Sequence, residues 1–176
     1  DGTQNRMQAQ AKQYESLSPL FYYLGDDVSY VRHGVDIGWS DAARKSLGHW
    51  GKQKYETIEQ LNQAWETAYT DFDQVEPIKH AEMRTAIDDA DSANYGPFCH
   101  WLDHQLHQDN VFSRFIRSLG EAINEVAPQT RSNIGSSVVG WTWPGSGFDF
   151  WQLTENKRLG FQYPNPWVHE IFRCSL

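Results

Sequence analysis

Residues 20–27, LFYYLGDD, place five consecutive apolar or aromatic side chains directly before Gly25 and a pair of carboxylates, Asp26 and Asp27. A short apolar run that ends at a turn residue is typical of a strand buried on both faces, as strands of parallel sheets are. Aspartates in a turn have an ordinary structural explanation, because their side chains bind nearby backbone N–H groups. A carboxylate pair at the end of a buried strand also suits a catalytic or ligand-binding edge. The stretch therefore predicts a buried strand that ends either in a plain turn or at a site.

Two later stretches also have the composition of short strands, and helical patterns lie between them. These stretches are RSNIGSSVV (131–139) and RLGFQYP (158–164). Alternation of strands and helices predicts parallel βαβ units with right-handed crossovers. Three parallel strands leave two unpaired edges and need helices on both faces. The pattern therefore predicts an α/β fold of the (β/α)8 TIM-barrel type. Residues 1–176 would form a single partial domain that covers only a central sector of the barrel.

Capping signals mark two helix starts. Ser40 precedes DAARKSLGHWGKQ (41–53) and has the side chain of a good N-cap. Thr57 and Gln60 have the spacing of a capping box, which predicts a helix that begins at residue 58. Residues 70–96 are acidic and less periodic, and we expect an irregular excursion there. Further helices are predicted over 4–16, 97–126, 149–157 and 167–172.

The charge balance argues against some classes of partner. Fifteen basic and 23 acidic residues give a net charge of −8, and no basic stripe interrupts the acidic surface. Such a surface repels phosphate backbones, so neither nucleic acid nor an anionic membrane is a favoured partner. No apolar run is long enough to span a bilayer, and no signal peptide stands at the N-terminus. A first residue of Asp1 rather than methionine predicts a processed or partial chain.

The chain resembles the clan A glycoside hydrolases, and within them the family 42 β-galactosidases. The specific stretch is KYETIEQLNQAWETAYTDFDQVEP (54–77), with looser similarity over most of residues 14–170. It resembles the family's helix after barrel strand 4, where a Tyr-Gly-Ser-Leu-Glu-x-Leu-Asn-x-x-Trp pattern precedes an aromatic-Asp turn. The matching positions here are Tyr55, Ile58, Glu59, Leu61, Asn62 and Trp65, with Phe72 and Asp73 in the turn.

The resemblance implies that LFYYLGDD, RSNIGSS and RLGFQYPNP are barrel strands 4, 5 and 6. Active sites of such barrels lie at the C-terminal ends of the strands. Retaining members use an acid/base and a nucleophilic carboxyl group about 5–5.5 Å apart. The acid/base is normally the glutamate of an Asn-Glu or Asp-Glu pair after strand 4, so Asp27 takes the catalytic position and Asp26 the one before it.

Two departures from the family pattern bear on activity. Aspartate is one methylene shorter than glutamate, which withdraws the carboxyl group of Asp27 by about 1.5 Å. The family's nucleophile follows strand 7, whereas this chain ends at Leu176, just past strand 6. We therefore expect further chain segments or subunits to complete the barrel.

Several other residues are expected to bind carbohydrate by position alone. Trp141 and Trp143 lie in the Gly-rich loop GWTWPGSG (140–147) after strand 5, where their rings can stack on sugars or anchor the core. The remaining substrate-binding candidates are Asp26, Asn133, Tyr163 and Asn165.

Two clusters raise the question of metal binding, and no metal or cofactor is predicted. His100, His104 and His107 share one helical face in CHWLDHQLH (99–107), but no HExxH motif is present. A solvated or hydrogen-bonded helix face is favoured there over a zinc site. The cluster DDAD (88–91) lacks the glycine and terminal glutamate of an EF-hand loop, so a solvated surface is favoured over calcium.

The two cysteines, Cys99 and Cys174, are too few to define a disulfide framework. Cys99 lies within a helical pattern, and we expect it to pack as a small apolar group.

The sequence thus predicts a retaining, β-galactosidase-like glycoside hydrolase that cleaves a β-glycosidic bond in an oligo- or polysaccharide. Its partner would be the carbohydrate substrate, with Asp27 as the catalytic acid/base. The alternative is a non-catalytic carbohydrate-binding or scaffold remnant of such a barrel.

Overall fold

A computed structural model of the chain describes residues 2–26, 28, 36–88, 95–135, 149–155 and 159–161. The six helices in these ranges are α1 (Gly2–Tyr14), α2 (Asp41–Tyr55), α3 (Ile58–Trp65), α4 (His80–Asp88), α5 (Gly96–Val126) and α6 (Phe150–Glu155). The three strands are β1 (Phe21–Gly25), β2 (Arg131–Ile134) and β3 (Leu159–Phe161), and short 3₁₀ turns cover Glu15–Leu17 and Phe72–Gln74. Among the described residues, no helix combines the length and the apolar character needed to cross a bilayer.

The strands form one parallel sheet in the order β1-β2-β3. Tyr23 pairs with Asn133, and Asn133 in turn pairs with Gly160. A bulge between Tyr23 and Gly25 shifts the register near the end of β1. The parallel arrangement confirms the prediction from strand–helix alternation, and it brings the C-terminal ends of all three strands to one edge.

The chain divides into two compact units, and the second of the two boundaries along the chain falls inside α5. The first unit contains Asp1–Tyr30 and Asp109–Leu176, and the second contains Val31–Gln108. The prediction of a single domain over 1–176 stays a prediction. The expected irregular excursion at 70–96 holds helix α4, which the sequence did not reveal because only Met83 of its apolar residues is buried.

The first unit has its core on one face of the sheet. Strand residues of β1, β2 and β3 on this face pack against helices α5 and α6. Burial of each large apolar side chain here stabilises the fold by about 1.5–3 kcal/mol. The buried members are Phe112, Ile116, Ile134, Leu153 and Leu159, with Leu24 and Val28 packed against them.

The opposite face of β1 is open, which corrects one expectation. The run LFYYL was predicted to be buried on both faces, but Phe21 and Tyr23 are each 41% exposed. Tyr22 and Leu24 point the other way, where the Tyr22 hydroxyl donates a 3.0 Å hydrogen bond to the carbonyl of Ala11 in α1. Successive side chains of a strand alternate between faces, and the aromatic run concealed that alternation.

The second unit is held by a core of Leu47, Leu61, Trp65 and Val75. The predicted caps are confirmed: the Ser40 hydroxyl accepts from the Ala43 N–H at 3.2 Å, and the Thr57 hydroxyl accepts from the Gln60 N–H at 3.3 Å. Cys99 packs against this core, as expected for a small apolar group.

Candidate functional site

The C-terminal edge of the sheet is held by backbone hydrogen bonds that continue beyond the strands. The N–H of Gly135 donates to the carbonyl of Gly25 at 2.8 Å, and the N–H of Val28 donates to the carbonyl of Gly135 at 3.2 Å. These bonds tie the segment after β1 to the segment after β2. Side chains at this edge therefore rest on a well-supported backbone.

Two groups at this edge contact each other directly. The Tyr23 hydroxyl donates a hydrogen bond of 3.2 Å to Oδ1 of Asp26. Both groups lie over Gly135, where an added Cβ would fall 2.8 Å from Cζ of Tyr23 and 2.9 Å from Oδ1 of Asp26. The edge thus presents an exposed carboxylate that accepts a hydrogen bond from a neighbouring phenol.

The next position along the exposed face is an amide. Asn133 is half-buried and lies between Tyr23 and Gly160 in the sheet register. An added Cβ at Gly160 would lie 2.6 Å from Oδ1 of Asn133, so the amide occupies the space above this glycine. A carboxylate, a phenol and an amide therefore share one face near one edge, a set of groups suited to bind hydroxyls.

Of the predicted site residues, the structure describes Asp26 and Asn133. It brings both to the C-terminal edge, Asp26 directly after β1 and Asn133 in the neighbouring strand β2. The others lie outside the described residues; they are Asp27, Trp141, Trp143, Tyr163 and Asn165. Their roles stay predictions.

Sequence reasoning missed Tyr23 and Gly135 as parts of this edge. In the sequence, Tyr23 is one member of an aromatic run predicted to be buried, and Gly135 lies within the predicted strand 131–139. The feature of the sequence that could have indicated the contact is the three-residue spacing from Tyr23 to Asp26. At this spacing, a tyrosine near the end of a strand can reach past the bulge to the carboxylate.

The histidine face of α5 is buried and makes specific contacts within the second unit. Nε2 of His100 lies 2.7 Å from the carbonyl oxygen of Glu76, and its ring stacks on Trp65 with centroids 4.0 Å apart. Nε2 of His107 lies 2.9 Å from the Ser46 hydroxyl. The face is therefore hydrogen-bonded rather than solvated.

Burial also decides the charge of these histidines. It lowers the pKa of His100 and of His107 to about 4, and it lowers the pKa of His104 as well. All three imidazoles are accordingly neutral at pH 7. Within the part of the chain that the structure describes, no group of three or more His, Cys, Asp or Glu side chains is arranged to hold a metal ion.

The acidic cluster DDAD is described only at its first residue. Asp88 lies exposed at the end of α4 and forms an i,i+4 ion pair with Arg84 at 3.4 Å. Asp89 and Asp91 lie outside the described residues, as does Cys174.

A protein-family model matches most of the chain. The family model described as beta-galactosidase, glycoside hydrolase family 42, matches residues 4–158. No curated protein matches the chain.

Two solved structures are similar to it. A beta-galactosidase from Bacillus circulans sp. alkalophilus shares 16% identity over 97% of this chain, with a TM-score of 0.63. An exo-carrageenase of family 42 from Bacteroides ovatus shares 22% identity over 70% of the chain, with a TM-score of 0.49. The chain covers 25% of the first and 17% of the second structure's own length. The likeness to the first structure shows the (β/α)8 barrel fold, of which this chain forms a sector.

Proposed function

The chain belongs to glycoside hydrolase family 42, and from that premise we propose that it carries the acid/base corner of a retaining enzyme that hydrolyses a β-glycosidic bond. The substrate class is an oligo- or polysaccharide with a terminal β-linked sugar, in the first instance a β-galactoside. The observation that carries the proposal is the site edge itself. Within a family 42 match, the described carboxylate Asp26 and amide Asn133 stand at the C-terminal edge of parallel strands, where barrel enzymes bind substrate.

Asp27 is assigned the catalytic role, because it follows β1 at the position of the family's acid/base. In the first step, its proton passes to the glycosidic oxygen while the bond from that oxygen to the anomeric carbon breaks. A carboxylate nucleophile forms a bond to the anomeric carbon in the same step. Water then attacks that carbon and gives its proton to Asp27, which restores both carboxyl groups. No residue among 1–176 is assigned as the nucleophile.

Asp26 and Asn133 are assigned to sugar hydroxyls. A carboxylate accepts hydrogen bonds, and an amide both donates and accepts, so together they can orient a polyhydroxylated ring. Trp141 and Trp143 are assigned as stacking walls, and Tyr163 and Asn165 as further polar contacts, on their predicted positions after β2 and β3.

The experiment is to follow hydrolysis of an aryl β-galactoside by the complete gene product with proton NMR. The proposal predicts that the β-anomer of the free sugar appears first and then mutarotates, because two inversions restore the starting configuration. Initial release of the α-anomer would contradict the retaining mechanism. Binding of galactosides without any hydrolysis would favour the non-catalytic remnant instead.

A further inference from the structure

We propose that Tyr23 is a positioning residue that holds the carboxylate of Asp26 in its substrate-binding orientation, and that Gly135 is required because only glycine leaves room for this pair. The inference rests on the proposed function, since it assigns Asp26 to a sugar hydroxyl. It adds two residues to the site and a physical reason for each.

The position of Tyr23 supports a role at the site rather than in the core. Tyr23 pairs with Asn133 in the sheet register and shares its face. The core of this unit lies on the other face, where Leu24 contacts the buried cluster. The Tyr23 hydroxyl is therefore directed along the open face toward the strand end, where it donates to Oδ1 of Asp26 at 3.2 Å.

The bulge in β1 explains how the two side chains meet. The register shifts between Tyr23 and Gly25, so the strand gains a residue just before its end. Asp26 follows directly, and its carboxylate comes within reach of a side chain three positions earlier in the chain. Bulges commonly redirect side chains next to binding sites.

Gly135 is the third member because its missing Cβ creates the space. An added Cβ would overlap the Tyr23 hydroxyl and lie 2.9 Å from Oδ1 of Asp26, closer than real Cβ contacts come. The backbone of Gly135 cannot withdraw without cost, since its N–H and its carbonyl bond to Gly25 and Val28. A side chain at this position would therefore displace the phenol and the carboxylate together.

The hydrogen bond from Tyr23 to Asp26 can assist the binding of a sugar hydroxyl. An ionised carboxylate has about four acceptor sites on its two oxygens, so a hydrogen bond from Tyr23 is compatible with a second one from a sugar hydroxyl. A carboxylate held in one rotamer binds that hydroxyl without a further loss of side-chain entropy. Tyr23 thus acts on the substrate through Asp26.

The same strand supplies a matched control. Tyr22 also donates its hydroxyl to an oxygen, the carbonyl of Ala11, but on the helix-covered face. Tyr22→Phe therefore removes one oxygen and one hydrogen bond from β1 without touching the site edge. A general effect of weakening the strand would appear equally in both tyrosine variants.

The test measures kcat and KM of the complete gene product on an aryl β-galactoside for Tyr23→Phe, Tyr22→Phe, Asp26→Ala and the double variant Tyr23→Phe/Asp26→Ala. We expect Tyr23→Phe to raise KM roughly tenfold, the equivalent of one hydrogen bond to a charged group, with little change in kcat. Tyr22→Phe should keep the wild-type KM. The double variant should be no worse than Asp26→Ala alone, because the effect proposed for Tyr23 passes through Asp26.

Two results would overturn the inference while leaving the proposed function intact: equal KM values for Tyr23→Phe and Tyr22→Phe, or additive losses in the double variant. Gly135→Ala provides a second check, with a rise in KM at least as large as that of Tyr23→Phe. An unchanged KM in folded Gly135→Ala would also count against it. A wild-type protein that neither hydrolyses nor binds galactosides would refute the proposed function. The role of Tyr23 would then be refuted as well, because it depends on that function.

Discussion

Nε1 of Trp65 donates a hydrogen bond of 2.9 Å to Oδ2 of Asp103, joining α3 to the N-terminal part of α5. The same carboxylate also accepts from Lys54 Nζ and from the Tyr55 hydroxyl. Asp103 is 3% exposed, so this buried charge is satisfied by three donors from α2 and α3. Tyr55 and Trp65 belong to the stretch that carries the family resemblance. That stretch therefore builds the second unit, and the site edge lies elsewhere in the chain.

Asp103→Ala should destabilise the second unit by about 2–4 kcal/mol, because it leaves the buried Trp65 N–H and the Tyr55 hydroxyl without their acceptor. Chemical denaturation followed by tryptophan fluorescence measures the change. Asp88→Ala is the control, since its exposed pair with Arg84 contributes at most about 0.5 kcal/mol. Equal losses in the two variants would show that Asp103 does not hold the three elements together.

Asn62 fixes the loop that follows α3. Its Nδ2 donates to the Tyr69 carbonyl at 2.8 Å, while its Oδ1 accepts from the Thr67 hydroxyl and the Tyr69 N–H, each at 2.9 Å. Asn62→Ala should cost about 2–3 kcal/mol, since three hydrogen bonds are lost together. Asn62→Asp keeps the acceptor but places a carboxylate against the Tyr69 carbonyl, so it should recover only part of that loss. Full stability of Asn62→Ala in urea denaturation would rule out this role.

Gly48 allows α2 to approach the 3₁₀ turn closely. An added Cβ would overlap the backbone carbonyl oxygen of Phe72. Alanine normally stabilises a helix by about 1 kcal/mol relative to glycine, but here the overlap should reverse the sign and make Gly48→Ala destabilising. Gly2→Ala, at an α1 position with nothing within 4 Å of the added Cβ, should be neutral or slightly stabilising. Thermal denaturation of both variants checks the contrast, and a higher melting temperature for Gly48→Ala would contradict the packing.

The buried histidines predict a loss of stability in mild acid. Burial lowers the pKa of His100 and His107 to about 4, below the usual value near 6.5. Between those values the unfolded chain binds more protons than the folded one, so stability is full above pH 6.5 and falls as the pH drops toward 4. Each histidine contributes a loss of up to about 1.4 kcal/mol per pH unit.

Urea midpoints at pH 7.5 and 5.5 measure this slope. His107→Gln can still bond to Ser46 but does not titrate, so its midpoint should fall less between the two pH values than that of the wild type. Identical acid sensitivity in the two proteins would exclude His107 as a source of the effect.

Local signals in the sequence were sufficient for much of the fold. Ser40 and Thr57 cap their helices as predicted, because capping depends on residues only three positions apart. The long α5 followed from its apolar spacing, and the parallel sheet from the alternation of elements. Helix α4 was missed, since its single buried apolar residue, Met83, gives no periodicity to detect.

The candidate site was less accessible to sequence reasoning. The local pattern left Asp26 open between a plain turn and a site, and the family resemblance was needed to favour a site and to place Asn133 at the same edge. The contribution of Tyr23 depends on a bulge and on pairing with β2, over 100 residues away in sequence. The sequence of β1 does not predict this pairing. Its aromatic run is apolar at alternate positions and at the positions between them, so the side that faces the site cannot be distinguished from the side that faces the core.

The most direct test of the central claim is the response of Asp27→Ala to azide in the complete gene product. Hydrolysis of an aryl β-galactoside with a poor leaving group should fall by roughly 100-fold or more, because general acid catalysis is lost. With a 2,4-dinitrophenyl leaving group, which departs without protonation, azide should restore turnover and yield the β-galactosyl azide, since azide needs no general base. Asp27→Glu should retain or raise the rate, because the longer side chain reaches the family's position. Wild-type hydrolysis by Asp27→Ala, or no azide product, would contradict the assignment of Asp27 as the acid/base.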